Sequence, residues 1–324
     1  MNILLSGSVA FDYLMTFPGY FKDHILSEHL ESISLSFLVD SMVRHRGGIA
    51  PNIAYTMALL GQQPQLWATV GEDFEEYRQW LEAKGVGTSG ARVIPDEFTA
   101  SFFVNTDLSN AQIASFYPGA MAYAAQMSLR ELVDEAPDLV VISPNDPDAM
   151  LRFVDECQEL EIPYFYDPSQ QIVRLTGEDL RKGIMGARAL FVNEYESALI
   201  KNMTGMDAHA ILNADVIDEN KLVVITRGEG GTTIYTRTGA YDIPVVRPEE
   251  IVDPTGVGDA FRGGFLTGYS HHLEIEVCGK MGALAATYCL EQRAPQGHSY
   301  TPEEFVTRYR EHFDDQGQLE ILVP

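Results

Sequence analysis

The sequence predicts an α/β fold: a mostly parallel sheet between helical layers, with a small antiparallel sheet set apart as a candidate lid. Three observations carry this. Short, near-continuous apolar runs alternate with stretches of helical spacing along most of the chain. Two segments break the alternation with period-two patterning. The 324 residues, 45% of them apolar, suffice for one large core and show no repeat or low-complexity linker.

The elements follow in chain order. NILLSGSV, at residues 2–9, is a buried first strand ending in small residues. ESISLSFLVDSMVRH then places Ile33, Leu35, Phe37 and Val39 at period two, a strand of the small sheet. APNIAYTMALLGQ has helical spacing and stops at Gly61. PQLWATVG is a strand, and DFEEYRQWLEAKGV a helix with an acidic first turn. EFTASFFVNTD and NAQIASFYPG, joined by TDLSN, form a hairpin of the small sheet. Its two stretches, about 13–46 and 97–119, interrupt a body that otherwise runs over 1–324 as one domain. DLVVISP, PYFYDP, RALFVNE and KLVVITRG are four more buried strands, spaced by helical DAMLRFVDECQEL and GEDLRKGIMGA. AFRGGFLTGYSHHLE is a helix, and YTPEEFVTRYREHF closes the chain as another, with a Thr-Pro-Glu-Glu start.

The formal net charge of −25 argues against nucleic acid and anionic membranes as partners. Three scattered cysteines, with no C-x-x-C, suit a reducing cytoplasm rather than a disulfide framework. The N-terminus lacks a basic, long-apolar leader, and no run approaches the ~18 apolar residues of a membrane span.

The chemistry concentrates in DPTGVGDAFRGGF, residues 253–265. Glycines at a loop-to-helix junction let backbone approach a ligand closely. The helix start adds free N–H groups and partial positive charge, together an anion site. The amides of Gly256, Val257 and Gly258 are the candidate cradle. Asp259 in the first turn is either a structural first-turn carboxylate or a general base for phosphoryl transfer. Arg262, one turn on, faces either phosphate or solvent. The chain has no G-x-x-x-x-G-K-[ST] loop.

DPTGVGDAFRGGF resembles the C-terminal signature of the ribokinase/PfkB family of carbohydrate and nucleoside kinases. Pro254 replaces a common Thr and Val257 a common Ala. The resemblance implies a ribokinase-like three-layer sandwich, Asp259 as catalytic base and residues 256–258 as anion hole. RGGIAPNIAYTMALLG is similar to the family's N-terminal signature, implying that Gly47, Gly48 and Asn52 bind substrate hydroxyls. Ile49 stands where ribokinases carry Lys, which weakens ribose as the acceptor. Asp12 in GSVAFDYL follows the first strand, at its carboxyl end, and the resemblance implies the same binding role for it. VNEYE matches the family's N-x-x-E motif, implying nucleotide contacts by Asn193 and a water-mediated Mg²⁺ contact by Glu196. VVITRGEGGTTIY implies that Thr226, Gly228 and Gly230 approach the phosphates. Gly71 and Asp73 resemble an element linked to lid movement, and Asp167 a polar position near the phosphates. The AATYCLEQRAPQGH segment, with Asp253 and Thr255, implies adenine contacts and a loop for a monovalent cation such as K⁺.

The implied cosubstrate is ATP with Mg²⁺, in a cytoplasmic monomer or homodimer. Phe37, Phe102, Phe116 and Tyr117 give the lid an aromatic surface suited to a base, so the acceptor is read as a nucleoside such as adenosine. The alternatives are a sugar kinase (ribose, fructose or 2-keto-3-deoxygluconate type) and a non-catalytic sensor that kept the fold.

Overall fold

The computed structural model describes residues 1–25, 34–214 and 219–323. In chain order the first half comprises β1 (Ile3–Ser6), β2 (Ala10–Thr16), β3 (Ser41–Gly47), α1 (Ile49–Leu59), β4 (Gln65–Val70), α2 (Glu75–Glu82), β5 (Gly87–Val93), β6 (Ala100–Thr106), β7 (Gln112–Tyr117), β8 (Leu139–Ile142) and α3 (Pro147–Glu159). The second half comprises β9 (Tyr164–Tyr166), α4 (Gly177–Gly186), β10 (Ala189–Asn193), α5 (Glu194–Thr204), α6 (Ala208–Asn213), β11 (Leu222–Thr226), β12 (Thr232–Thr236), β13 (Gly239–Ile243), α7 (Val257–Ser270), α8 (Ile275–Leu290) and α9 (Pro302–His312).

Nine strands form one sheet in the order β13-β12-β11-β10-β9-β8-β1-β4-β5. It is parallel from β5 to β11, and β12 and β13 add an antiparallel edge. Alternate side chains of each central strand enter opposite cores. Leu5, Val141, Phe165 and Phe191 pack under α1, α2, α7 and α8. Leu4, Val140, Tyr166 and Leu190 pack under α3, α4, α5 and α6. Burial on both faces is why these strands read as unbroken apolar runs.

The second sheet has the order β3-β2-β6-β7. Its β6–β7 pair is the expected hairpin, with Phe102 opposite Phe116. The sheet is antiparallel at β2–β3 and β6–β7, but β2 runs parallel to β6. Two local expectations change. The strand between 31 and 45 is displaced to Ser41–Gly47. Ile33 lies outside the described residues, and Leu35, Phe37 and Val39 are in no strand. Phe37 instead sets its ring edge-on to Phe17 and Phe21, with centroids 5.0 and 4.9 Å away. Asp12 sits inside β2 of this sheet, not at the end of β1.

Local chemistry fixes the helix starts near the site. Asn193 caps α5 by accepting from the Glu196 amide, and Glu196 returns the bond to the Asn193 amide, both at 2.8 Å. Thr301 and Glu304 cap α9 the same way, with Pro302 at its first position. Helix α7 is buried through most of its length, against α1 and α8. Gly264 makes that possible, because a Cβ there would lie 2.6 Å from the Met281 carbonyl oxygen. Among the described residues no helix is long and apolar enough to cross a membrane.

Candidate active site

A cavity of about 720 Å³ opens where the carboxyl ends of the parallel strands, the α7 N-terminus and the small sheet meet. This is the edge at which open parallel sheets collect ligands. Asp12, Gly48, Asn52, Asn193, Glu196, Thr226, Gly256, Gly258 and Asp259 all line it. Gly47, Val257, Gly228 and Gly230 do not. Gly47 lies beneath Asp12, whose carboxylate would meet a Cβ there at 2.5 Å. Gly228 and Gly230 form the tight turn between β11 and β12.

Helix α7 begins after Gly256, whose φ of 79° is left-handed and favours glycine. A Cβ on Gly256 would also strike Pro295 at 2.5 Å. The Val257 amide points at the Pro254 carbonyl over a long 3.4 Å. Among the described residues the Gly256 and Gly258 amides donate to no backbone carbonyl, as first-turn N–H groups commonly do not.

Asp259 stands in that first turn, partly open to the cavity. Burial pushes its carboxyl up to about 7 against the pull of Arg262 and the Asn52 hydrogen bond. Asn52 Nδ2 donates to its Oδ2 at 2.9 Å. Asp12, half-buried, is pushed up to about 6 by burial and then by the charge of Asp253.

Arg262 is neither solvated nor free. It is 9% exposed, and its guanidinium grips Asp167, itself 1% exposed, through Nη2 at 2.7 Å and Nε at 2.6 Å. Nη1 donates to the Gly258 carbonyl at 2.9 Å, tying the charge to the helix start. The guanidinium also sits 5.9 Å from the Phe191 ring centre.

Glu196 is nine-tenths buried, and its cap uses Oε2 while Oε1 accepts from the Ser169 hydroxyl at 3.2 Å. No group of three metal-ligating side chains gathers among the described residues. A magnesium ion carried by a nucleotide needs only one or two carboxylates and keeps its water, so this donor set fits an ion held at one remove. On the small-sheet side, Phe102 and Phe116 line the cavity, while Phe37 and Tyr117 do not. Tyr117 instead donates to Glu97. Asp73 accepts from the Thr99 amide at 2.8 Å, pinning the chain as it enters β6.

Sequence reasoning missed the turn Ser169–Arg174 and Gln296. Arg174 lines the cavity. Gln296 donates from Nε2 to Asn52 Oδ1 at 2.8 Å and to the Tyr77 hydroxyl at 2.5 Å. Its segment, AATYCLEQRAPQGH, was read for adenine and cation contacts only, and its neighbour Pro295 lies against the signature glycine Gly256.

A doubly covered parallel sheet, a glycine-started helix end and a carboxyl in one cleft at the sheet's carboxyl edge suit the transfer of a phosphoryl group. The pfkB family carbohydrate kinase profile matches residues 9–302. The chain belongs to that family and is an ATP-dependent nucleoside or sugar kinase. A nucleoside kinase of Burkholderia thailandensis, solved with inosine, is 36% identical and superposes with a TM-score of 0.83, covering 96% of this chain and 98% of that one. The same protein was also solved with ADP-inosine. A nucleoside kinase of Methanocaldococcus jannaschii is 27% identical over 96% of this chain and 97% of its own. A cytidine kinase of Thermococcus kodakarensis is 30% identical over 83% of this chain and 96% of its own.

Proposed function

We propose that the acceptor is a nucleoside, with adenosine the first candidate, and that its 5′-hydroxyl receives the γ-phosphoryl group of ATP. The observation that carries this is the pairing of Phe102 and Phe116 across one wall of the cavity that holds Asp259. A base needs such an apolar, aromatic surface, and a free sugar does not. The nucleoside and cytidine kinases among the relatives support the same class.

In this reading Asp12 and Asn52 hold the ribose hydroxyls, and the 5′-oxygen sits beside Asp259. Oδ2 of Asp259 is engaged by Asn52, which leaves Oδ1 to take the proton. The 5′-oxygen then bonds to the γ-phosphorus as the bond to the ADP oxygen breaks. The amides at the α7 start and the fixed charge of Arg262 stabilise the negative oxygens. Magnesium, held through water by Glu196, would neutralise phosphate charge. Asn193 and Thr226 flank the nucleotide, and the small sheet closes over the acceptor and excludes water. A base with its carboxyl near 7 is half ionised at neutrality and fully ionised well above it, so activity falls as pH drops through that value.

ADP release across adenosine, inosine, cytidine, ribose, fructose and 2-keto-3-deoxygluconate tests the proposal, with K⁺ present or replaced. Turnover of nucleosides above all sugars is expected. Turnover of sugars alone would reassign the enzyme as a sugar kinase. Tight binding with no ADP from any acceptor would make it a sensor.

A further inference from the structure

Gln296 belongs to a chain of hydrogen bonds whose direction is fixed at one end. The Gly47 carbonyl can only accept, and the Tyr77 hydroxyl donates to it at 3.0 Å. The Tyr77 oxygen must therefore accept, so Gln296 presents its NH₂ group there, at 2.5 Å. The same nitrogen has a second hydrogen, and it points at Asn52 at 2.8 Å. Asn52 is thereby obliged to turn its oxygen to Gln296 and its NH₂ to Asp259, at 2.9 Å. Gln296, Asn52 and Tyr77 are all more than nine-tenths buried, so water does not compete for these contacts. A proton on Oδ2 would need an acceptor at this position and meets a donor, and a donor bonds an ionised carboxylate oxygen more strongly than a neutral one.

We propose that Gln296 is a positioning residue for phosphoryl transfer: it locks the Asn52 amide so that a donor always faces Asp259, keeping that side chain in its base form. This rests on Asp259 being the base. Without Gln296 the Asn52 amide is free to rotate, and its oxygen can face the carboxylate. Burial, already the largest influence on Asp259, then meets less opposition. Every other group acting on Asp259 is unchanged by the substitution. These are Arg262 on the same helix, Asp167 after β9 and Asp12 in β2. Cys289 in α8, pushed up to about 12 by burial, stays neutral.

The test compares pH profiles of kcat/KM for the wild type and Gln296→Met, a swap of similar volume. Losing an oriented donor to a carboxylate should move the acid limb up by about one pH unit. Activity should drop about fivefold at neutrality and about tenfold a unit below it, and return to the wild-type level at about two units above neutrality, where Asp259 is ionised in both proteins. Tyr77→Phe serves as the second variant. It releases one Gln296 hydrogen from its partner and should move the limb in the same direction by less. In an Asn52→Leu background Gln296→Met should have no further effect on the profile. A loss that persists at high pH with an unmoved acid limb, in whichever of the two variants folds, overturns the inference. Failure of the base assignment itself shows separately, as near-normal turnover in Asp259→Asn.

Discussion

Asp259→Asn separates what this side chain does for stability from what it does for chemistry. The folded protein holds the Asp259 carboxyl at about 7, against an ordinary value of 3.8. At ~1.4 kcal/mol per unit, an ionised Asp259 opposes folding by up to about 4 kcal/mol. The side chain still meets cavity water, so about 2 kcal/mol is the working figure. The sign follows from proton binding. Between about 4 and 7 the folded state binds more protons than the unfolded state, so stability falls as pH rises through that window. Asn has no such titration, and its side-chain oxygen can still accept from Asn52. The variant and the wild type should therefore be equally stable near about pH 4 and diverge above it. With an unfolding entropy of ~2.1 cal/mol/K per residue, the gain at about pH 8 corresponds to about 3 °C in Tm. Coupled ADP release should meanwhile show kcat lower by about 10²–10⁴-fold, with nucleotide binding retained. Near-wild-type kcat would refute the base role. A stability difference that does not grow with pH would refute the account of its burial.

Three further outcomes follow from the same geometry. Gly256→Ala forces a left-handed residue onto a Cβ that meets Pro295, so it should lower kcat at least about tenfold and destabilise by about 1–2 kcal/mol, read by kinetics and denaturant unfolding. Arg262→Met strands Asp167 as a buried carboxylate and should destabilise by about 3–5 kcal/mol at neutral pH, with partial recovery under acid conditions where Asp167 is protonated. Phe116→Ala removes a half-exposed ring from the cavity wall without opening the core, so KM for the nucleoside should rise about tenfold at unchanged stability.

The central sheet was legible because its strands are buried on both faces and carry the signal in their own residues. Edge strands carry less: β5, Gly87–Val93, is rich in glycine and polar groups and owes its strand state to pairing with β4. The small sheet was legible as a sheet, but one of its strands was displaced by several residues. Phe37 had a better partner in the Phe17 and Phe21 rings than in a strand, and a period-two pattern cannot register that competition. In the site, the helix start and Asp259 were readable because the glycines and the carboxylate lie within four residues. The partners that tune them were not. The Gln296–Asn52 contact spans 244 positions and the Arg262–Asp167 grip spans 95. Only the folded chain brings them together, and Arg262 alone could not declare whether it faced water or an acid.

The backbone seam at Gly264 has a consequence for how such enzymes diversify. At Gly264 helix α7 is seated by main chain against the Met281 carbonyl, which ties its position to the backbone of α8 more than to exchangeable side chains. The proposed reaction centre is in effect bolted to the scaffold. The cavity wall we propose for the acceptor belongs to another sheet, where Phe102 and Phe116 can be exchanged without disturbing the bolt. Selection can therefore retune which molecule is accepted, one ring at a time, on a phosphoryl-transfer apparatus that stays still.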